Sequence, residues 1–178
     1  MEYIIRPGVV EDLPILVGIV NDNVRAKADG EQGFLQDGIS ESRLSAWISH
    51  GSLWVVCQGS KSVGFACVSN PTKHGHPIIE YIYDNSQKLY VNGTPLDQLN
   101  YKLYGPVVID KSHRGKGLMR LLFDHLKKSN NCEAFVGFVE NENVKSLRVH
   151  INGLKFQLVD TITINNKEFL IMVYDLRT

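Results

Sequence analysis

Val107-Val108-Ile109-Asp110-Lys111-Ser112-His113-Arg114-Gly115-Lys116-Gly117-Leu118-Met119-Arg120-Leu121-Leu122 is the stretch that decides how this chain is built. Val107, Val108 and Ile109 are β-branched and consecutive, the mark of a buried strand, and Asp110-Lys111-Ser112 closes it. Gly115 and Gly117 then make a turn into a helix whose apolar stripe is Leu118, Leu121, Leu122 and Leu126. Glycines at the mouth of a helix let backbone N–H groups come close to an anion, and the helix end adds about half a positive charge there. Side-chain charge agrees: Lys111, Arg114, Lys116, Arg120, Lys127 and Lys128 stand in this segment against Asp124, in a chain whose 19 Lys and Arg balance its 19 Asp and Glu. The segment suits a phosphate. It is not a Walker loop, which needs GxxxxGK followed by Ser or Thr, nor a dinucleotide fingerprint, whose third glycine would fall on Arg120.

Downstream, Ala134 to Val139 reads as a second buried strand, Asn143 starts a helix running to about Ile151, and Gly153 stops it. Lys155 to Ile164 and Glu168 to Leu176 form a closing hairpin about Asn165-Asn166. Upstream, Tyr3 to Arg6 is a short strand closed by Pro7-Gly8, and Leu13, Leu16, Val17, Val20 and Val24 recur at helical spacing behind Asp12, the expected cap. A loop from Gly30 to Gly38 surrounds Phe34-Leu35, and Ser40-Glu41-Ser42-Arg43 opens a second helix toward His50. Leu53 to Gln58 and Val63 to Val68 are strands joined through Gly59-Ser60-Lys61. From Asn70 to Tyr104 the apolar residues keep no period among the turn residues, and a short helix over Ile78 to Tyr83 is the expectation there. This order of elements is that of a mixed α/β sheet rather than a doubly wound one. With no repeat and no linker, 1–178 is expected to be a single domain carrying an insertion at about 70–102.

The turn from Arg114 to Met119 resembles motif A of the GNAT superfamily, the GCN5-related N-acetyltransferases: Arg or Gln, two residues, Gly, one residue, then Gly or Ala. Arg114 and Gly117 match, and Met119 stands where the small residue belongs. Asn143-Val144-Lys145-Ser146-Leu147-Arg148-Val149-His150 resembles motif B of the same family, Asn-x-x-Ser/Ala-x-x-apolar-Tyr/His followed by Gly-Phe. Here Gly153-Leu154-Lys155-Phe156 sets the glycine one residue early. The opening strand with its two helices and the closing hairpin extend the resemblance over nearly all of the chain outside about 70–102. It implies a GNAT-like α/β (α+β) fold: a mostly antiparallel central sheet, the strands at Val107 and Ala134 splayed apart, and about four flanking helices.

That resemblance also implies acetyl-CoA, or another acyl-CoA, as cosubstrate, and no metal. Carried over residue by residue, Val107, Val108 and Ile109 contact the pantetheine arm. Arg114, Gly115, Lys116, Gly117, Leu118 and Met119 supply phosphate-facing amides, and Asn143 and Ser146 join the cofactor side. The implied reaction is attack of a primary amine, on a small molecule or a peptide, at the thioester carbonyl, whose developing oxyanion meets a backbone N–H. An alkylammonium of pKa ~10 must first lose a proton, and the leaving thiolate must gain one. Relatives often carry a carboxylate on the strand at Val107, but Leu103-Tyr104-Gly105-Pro106 supplies none, so Glu140 and Glu80 are the candidates for base. His150 stands where the family places its proton-donating tyrosine, and a free pKa of ~6.5 makes it the candidate general acid. Phe34-Leu35 would line the acceptor pocket. The alternative is a non-catalytic acyl-CoA sensor or interaction protein of the same fold, motivated by Met119, by the displaced Gly153 and by the missing carboxylate.

Composition excludes other classes. With 43% hydrophobic and 21% charged residues the chain is neither collagenous nor disordered, and its zero net charge offers no global field to nucleic acid or an anionic membrane. Its longest clean apolar run, Leu13 to Val20, falls far short of the ~20 residues a bilayer needs, and Glu2, Arg6, Glu11 and Asp12 are unlike a secretory signal. A cytoplasmic protein is expected, with a homodimer left open. Cys57, Cys67 and Cys132 are odd in number and lack CxxC spacing, and His74-Gly75-His76 has no third ligand nearby.

Overall fold

In chain order the elements are β1 (Tyr3–Pro7), α1 (Leu13–Asp22), α2 (Glu41–Ser49), β2 (Leu53–Gln58), β3 (Lys61–Ser69), α3 (Pro77–Asp84), β4 (Tyr90–Val91), β5 (Thr94–Pro95), β6 (Tyr101–Ile109), α4 (Leu118–Ser129), β7 (Ala134–Glu140), α5 (Val144–Arg148), β8 (Gln157–Ile164) and β9 (Lys167–Asp175). They come from a computed structural model that describes residues 2–24, 33–35, 37–73 and 75–177. Two compact units emerge, Met1–Ser69 with Gly105–Ser129, and Asn70–Tyr104 with Asn130–Thr178, so that β6 belongs to the second unit up to Tyr104 and to the first from Gly105. The strand order is β1-β2-β3-β6 followed by β7-β9-β8.

In the first unit β1 pairs antiparallel with β2 and β2 with β3, through the expected Gly59-Ser60 turn, where Gly59 takes φ +62°. β3 is buried from Ser62 to Val68 and therefore reads as a continuous apolar run instead of alternating. Gly64 is required by its neighbour: a Cβ there would stand 2.8 Å from the Val108 carbonyl oxygen. The Asp110 N–H donates to the Val63 carbonyl at 2.9 Å. Leu13, Leu16, Ile19 and Val20 of α1 and Leu44 of α2 close the core with Leu53, Val55, Phe65 and Val108. Ser40 caps α2 as expected, its Oγ accepting the Arg43 N–H. Asp12 does not cap α1. It ends a short 3-10 turn, Val10–Asp12, and its buried carboxylate accepts the Val9 N–H at 2.9 Å, both Arg6 Nη groups at 2.8 Å and the Ser62 hydroxyl at 2.6 Å.

In the second unit β7 pairs parallel with the start of β6, from Tyr101↔Ala134 to Leu103↔Val136, and antiparallel with β9 along its whole length. The parallel ladder ends at Leu103, although β6 continues to Ile109 and β7 to Glu140. β8 and β9 form the expected hairpin, with Asn165 and Asn166 at φ +50° and +61°. The stretch without period resolves into α3, opened by Pro77 at its first turn, and the β4–β5 hairpin, turned by Asn92 and Gly93 at φ +49° and +80°. Its Ile78, Ile82, Leu89, Val91, Leu96 and Leu99 are buried with Ala134, Val136, Phe169, Ile171 and Val173. Polar links tie it to chain further on: Tyr81 donates to Asp160 (2.7 Å), Asn92 to Asp175 (2.8 Å), the Asn100 N–H to Glu133 (2.8 Å), and Arg177 to both Asp175 (2.8 Å) and the Thr94 hydroxyl (3.0 Å). Five α-helices stand among the described residues, and α3 (Pro77–Asp84) falls where a short helix over Ile78 to Tyr83 is expected.

The helix expected from Asn143 to Ile151 is corrected. α5 ends at Arg148 and is followed by a π-turn over Val149–Gly153, closed by the Leu154 N–H on the Val149 carbonyl at 2.8 Å. Lys155 then takes φ +70°, the left-handed conformation that a helix-ending glycine usually supplies. The π-turn is one residue wider than an α-turn, and Phe156 still returns to it, its N–H on the His150 carbonyl at 3.0 Å.

Candidate active site

Two sets of candidate residues lie one in each unit. In the first, Val108 and Ile109 are buried and Val107 is half-buried at the end of β6. Asp110 begins a one-turn 3-10 helix over Lys111–His113, its Oδ1 accepting the Ser112 N–H (2.8 Å) and hydroxyl (2.6 Å). Gly115 and Gly117 follow at φ +75° and +76°, where only glycine sits without strain, and a Cβ at either would meet open space. The first closing bond of α4 is that from the Leu121 N–H to the Gly117 carbonyl at 3.0 Å, so the amides just before it head the helix. Open space above a twin-glycine turn, amides heading a twelve-residue helix and the basic side chains of Lys116 and Arg120 fit a diphosphate.

Arg114 departs from the simple picture of a row of phosphate-facing amides. Its own N–H leans on the Lys111 carbonyl at 3.4 Å, its Nε donates to the Ile109 carbonyl at 3.2 Å and its Nη2 donates to the Asn23 carboxamide oxygen. Burial lowers the guanidinium pKa and nearby Asp110 opposes that shift. Asn23 had no signal in the sequence, since an Asn closing a helix is ordinary and its partner lies 91 residues away.

In the second unit His150 is 7% exposed inside the π-turn. Its Nδ1 stands 2.7 Å from the Ser146 carbonyl oxygen and 3.3 Å from the Ser146 hydroxyl. A carbonyl can only accept, so Nδ1 carries the hydrogen and Nε2 keeps its lone pair. Burial pushes the imidazole pKa below 6.5, partly opposed by the bond to Ser146, so the ring is neutral at pH 7. Aromatic rings surround it: Tyr104 lies edge-on at 5.9 Å and Phe156 at 5.6 Å between centroids. Burial holds the Tyr104 phenol far above its ordinary pKa, so it stays protonated. Asn143 stands at the N-cap position of α5, but its side chain makes no capping bond. Glu140 is buried at the end of β7. Glu80, in the first turn of α3, points to the Gly75 N–H at 3.4 Å. Residues 25–32, Gln36 and His74 lie outside the described residues, and with them part of the loop around Phe34-Leu35. Among the described residues no group of three or more His, Cys, Asp or Glu is placed to hold a metal ion, and no helix is long and apolar enough to cross a membrane.

The first unit thus carries a strand, a twin-glycine turn and a helix, and the second a buried histidine. The chain belongs to the acetyltransferase (GNAT) family, whose family model matches residues 25–154. Among solved structures it is similar to a GNAT-family acetyltransferase from Streptococcus agalactiae 2603, at 18% identity and a TM-score of 0.71, covering 97% of this chain and 95% of that one. It is also similar to yncA from Salmonella typhimurium, solved with its cofactor acetyl-CoA, at 16% identity and a TM-score of 0.68, covering 100% and 96%. The ribosomal-protein-S18-alanine N-acetyltransferase from Escherichia coli follows at 14% identity and a TM-score of 0.65, covering 99% and 96%. At these identities the likeness is one of fold. No curated protein sequence matches the chain.

Proposed function

We propose that this N-acetyltransferase, working as one domain, moves the acetyl group of acetyl-CoA directly to a primary amine of a small molecule or a peptide. The observation that carries the reading is the twin-glycine turn at φ +75° and +76° opening α4 directly after β6. In this reading the amides of Gly115, Lys116, Gly117, Leu118 and Met119 hold the diphosphate, with Arg114 closing the turn by its side chain. Val107, Val108 and Ile109 run beside the pantetheine arm, and Asn143 and Ser146 serve on the cofactor side.

Acetyl-CoA supplies an activated acyl thioester. The chain must move a proton off the attacking amine and onto the leaving sulfur. His150 is suited to both in sequence: neutral at rest, its Nε2 lone pair accepts the amine proton, and the resulting imidazolium returns it to sulfur. It starts as a base and finishes as an acid, whereas the sequence pattern alone suggested an acid. Glu140 is the second candidate for base. Three free cysteines support a cytoplasmic setting.

Mixing the protein with acetyl-CoA and a panel of amines, and following thiol release beside the thermal midpoint, tests the proposal. Stabilisation with turnover is the expected result. Stabilisation with no turnover on any amine would favour the acyl-CoA sensor, and neither effect would remove acetyl-CoA from the account.

A further inference from the structure

His113 ends the 3-10 turn before Arg114, and its side chain is 15% exposed. Nδ1 stands 2.9 Å from the Ser112 hydroxyl oxygen, Nε2 stands 3.2 Å from Oε1 of Gln58 at the end of β2, and the ring meets Tyr3 of β1 edge-on at 6.2 Å between centroids. Chemistry places the hydrogens on this chain of bonds. Burial alone would raise the Asp110 pKa, but the bonds from Ser112 and the neighbouring His113 bring it below 3.8, so at pH 7 it is a carboxylate that can only accept. Ser112 Oγ and Asp110 Oδ1 are 2.6 Å apart, closer than two bare oxygens settle, so the hydroxyl hydrogen lies on that bond. With its hydrogen committed, Ser112 Oγ accepts from the ring, and Nδ1 is a donor. Nε2 then faces an amide oxygen, which also accepts. Both nitrogens donate at once in the imidazolium.

Loss of the Nε2 proton leaves a lone pair against Oε1, and turning the Gln58 carboxamide over brings its NH2 there instead. Both arrangements keep every group bonded, so ring charge and amide orientation change together. The charged groups around the ring are Asp110, 3.7 Å from Nδ1, Lys111 and Arg114 beside it in the chain, Lys61, the register partner of Gln58, and Glu2 next to Tyr3. We propose that His113 and Gln58 form a proton-operated latch on the turn that leads into Gly115 and Gly117, and that its charged state strengthens acetyl-CoA binding there. The second half rests on the acetyl-CoA reading. Two peptide units, at most about 7 Å of chain, separate His113 from Gly115, so the imidazolium adds positive charge beside the place assigned to the diphosphate. Charges at that range in watery surroundings interact modestly, which sets the effect at about threefold.

Heteronuclear NMR of the imidazole and side-chain amide nitrogens across the range in which histidines exchange their charge, about pH 5 to 8, reads the latch in the unaltered protein. Both His113 nitrogens are expected to carry hydrogen at the acid end and Nδ1 alone at the other, with the Gln58 amide signals moving in step. Hydrogen on Nε2 alone at the basic end, or a Gln58 amide that stays still, overturns the latch. Calorimetric titration with acetyl-CoA at both ends of the range reads the effect. The acid-to-basic affinity ratio is expected to be about threefold greater in the unaltered protein than in His113→Gln, a comparison that cancels titration of the ligand itself. Gln58→Glu accepts in either orientation and holds the ring charged, so its ratio is expected to fall to that of His113→Gln; it also serves where His113→Gln does not fold. Equal ratios in all three proteins overturn the coupling and leave the acetyltransferase reading standing. Undetectable acetyl-CoA binding to the unaltered protein overturns both.

Discussion

The glycine turn and the π-turn do different kinds of work with similar materials. Gly115 and Gly117 take left-handed angles at almost no cost and leave the main chain bare toward solvent. Lys155 takes the same region with a side chain attached, after a helix widened by one residue, and the outcome is a histidine buried among Tyr104 and Phe156. The first arrangement presents backbone donors, which any sequence with glycines in register can supply. The second sets the tautomer and charge of one side chain, which depends on a carbonyl four residues away and on rings contributed from β6 and the chain before β8. Main-chain sites are therefore written in short motifs, and side-chain chemistry in the packing around them.

The sharpest test of that contrast is His150→Phe, which keeps the ring packing and removes the nitrogen: kcat is expected to fall by ~10²-fold or more. In the unaltered enzyme kcat/KM should rise with pH through a pKa below 6.5, because a base works only when unprotonated, and stay level just above it. The variant should lose that acid limb, and a variant that retains both the limb and the rate would take His150 out of the chemistry.

Next in size is Asp12→Asn, which probes the first unit away from the glycine turn. Burial alone would raise the Asp12 pKa, but bonds from Arg6, Ser62 and the Val9 N–H bring it from 3.8 down to about 2. A lowered folded-state pKa means stability that is present above the unfolded value and lost as pH falls through the folded one. Asp12 should accordingly contribute about 2 kcal/mol at pH 7, vanishing between roughly pH 4 and pH 2. Urea unfolding of both proteins across that range should show the two curves converging at the acid end.

Gly117→Ala should cost about 1 kcal/mol through its backbone angle and weaken acetyl-CoA binding roughly tenfold in a calorimetric titration, since the new methyl stands on the open face. Smallest is Lys155→Gly, expected to raise stability by about 0.5–1 kcal/mol, because relief of the left-handed strain exceeds the added freedom of the unfolded chain. A thermal scan that shows a loss there would mean that Lys155 is held by something other than its backbone.

Much of the fold was legible because period and punctuation agree in it: the strand–turn–helix from Val107, the Gly59-Ser60 hairpin, the Asn165-Asn166 turn and the Ser40 cap each follow from local rules. The glycine turn at 115–117, as backbone geometry, shares that legibility. Asp12 was misread because a carboxylate before a helix is most often a cap, and only the fold brings Arg6 and Ser62 to it. The π-turn around His150 was not legible, because nothing local in Val149 to Gly153 says that the helix widens there. The 70–102 segment hid its period because one short helix and a two-residue hairpin bury Ile78, Ile82, Leu89, Val91, Leu96 and Leu99 against strands that come later in the chain.

That last arrangement sets an order on how the protein is made. Thr94 and Asn92 leave the ribosome long before Asp175 and Arg177, the groups that hold them. At about 5–20 residues per second the hairpin waits roughly 4–16 s for its partners. Through that interval the nascent segment carries uncovered aliphatic surface, a window in which chaperone binding would be expected to concentrate.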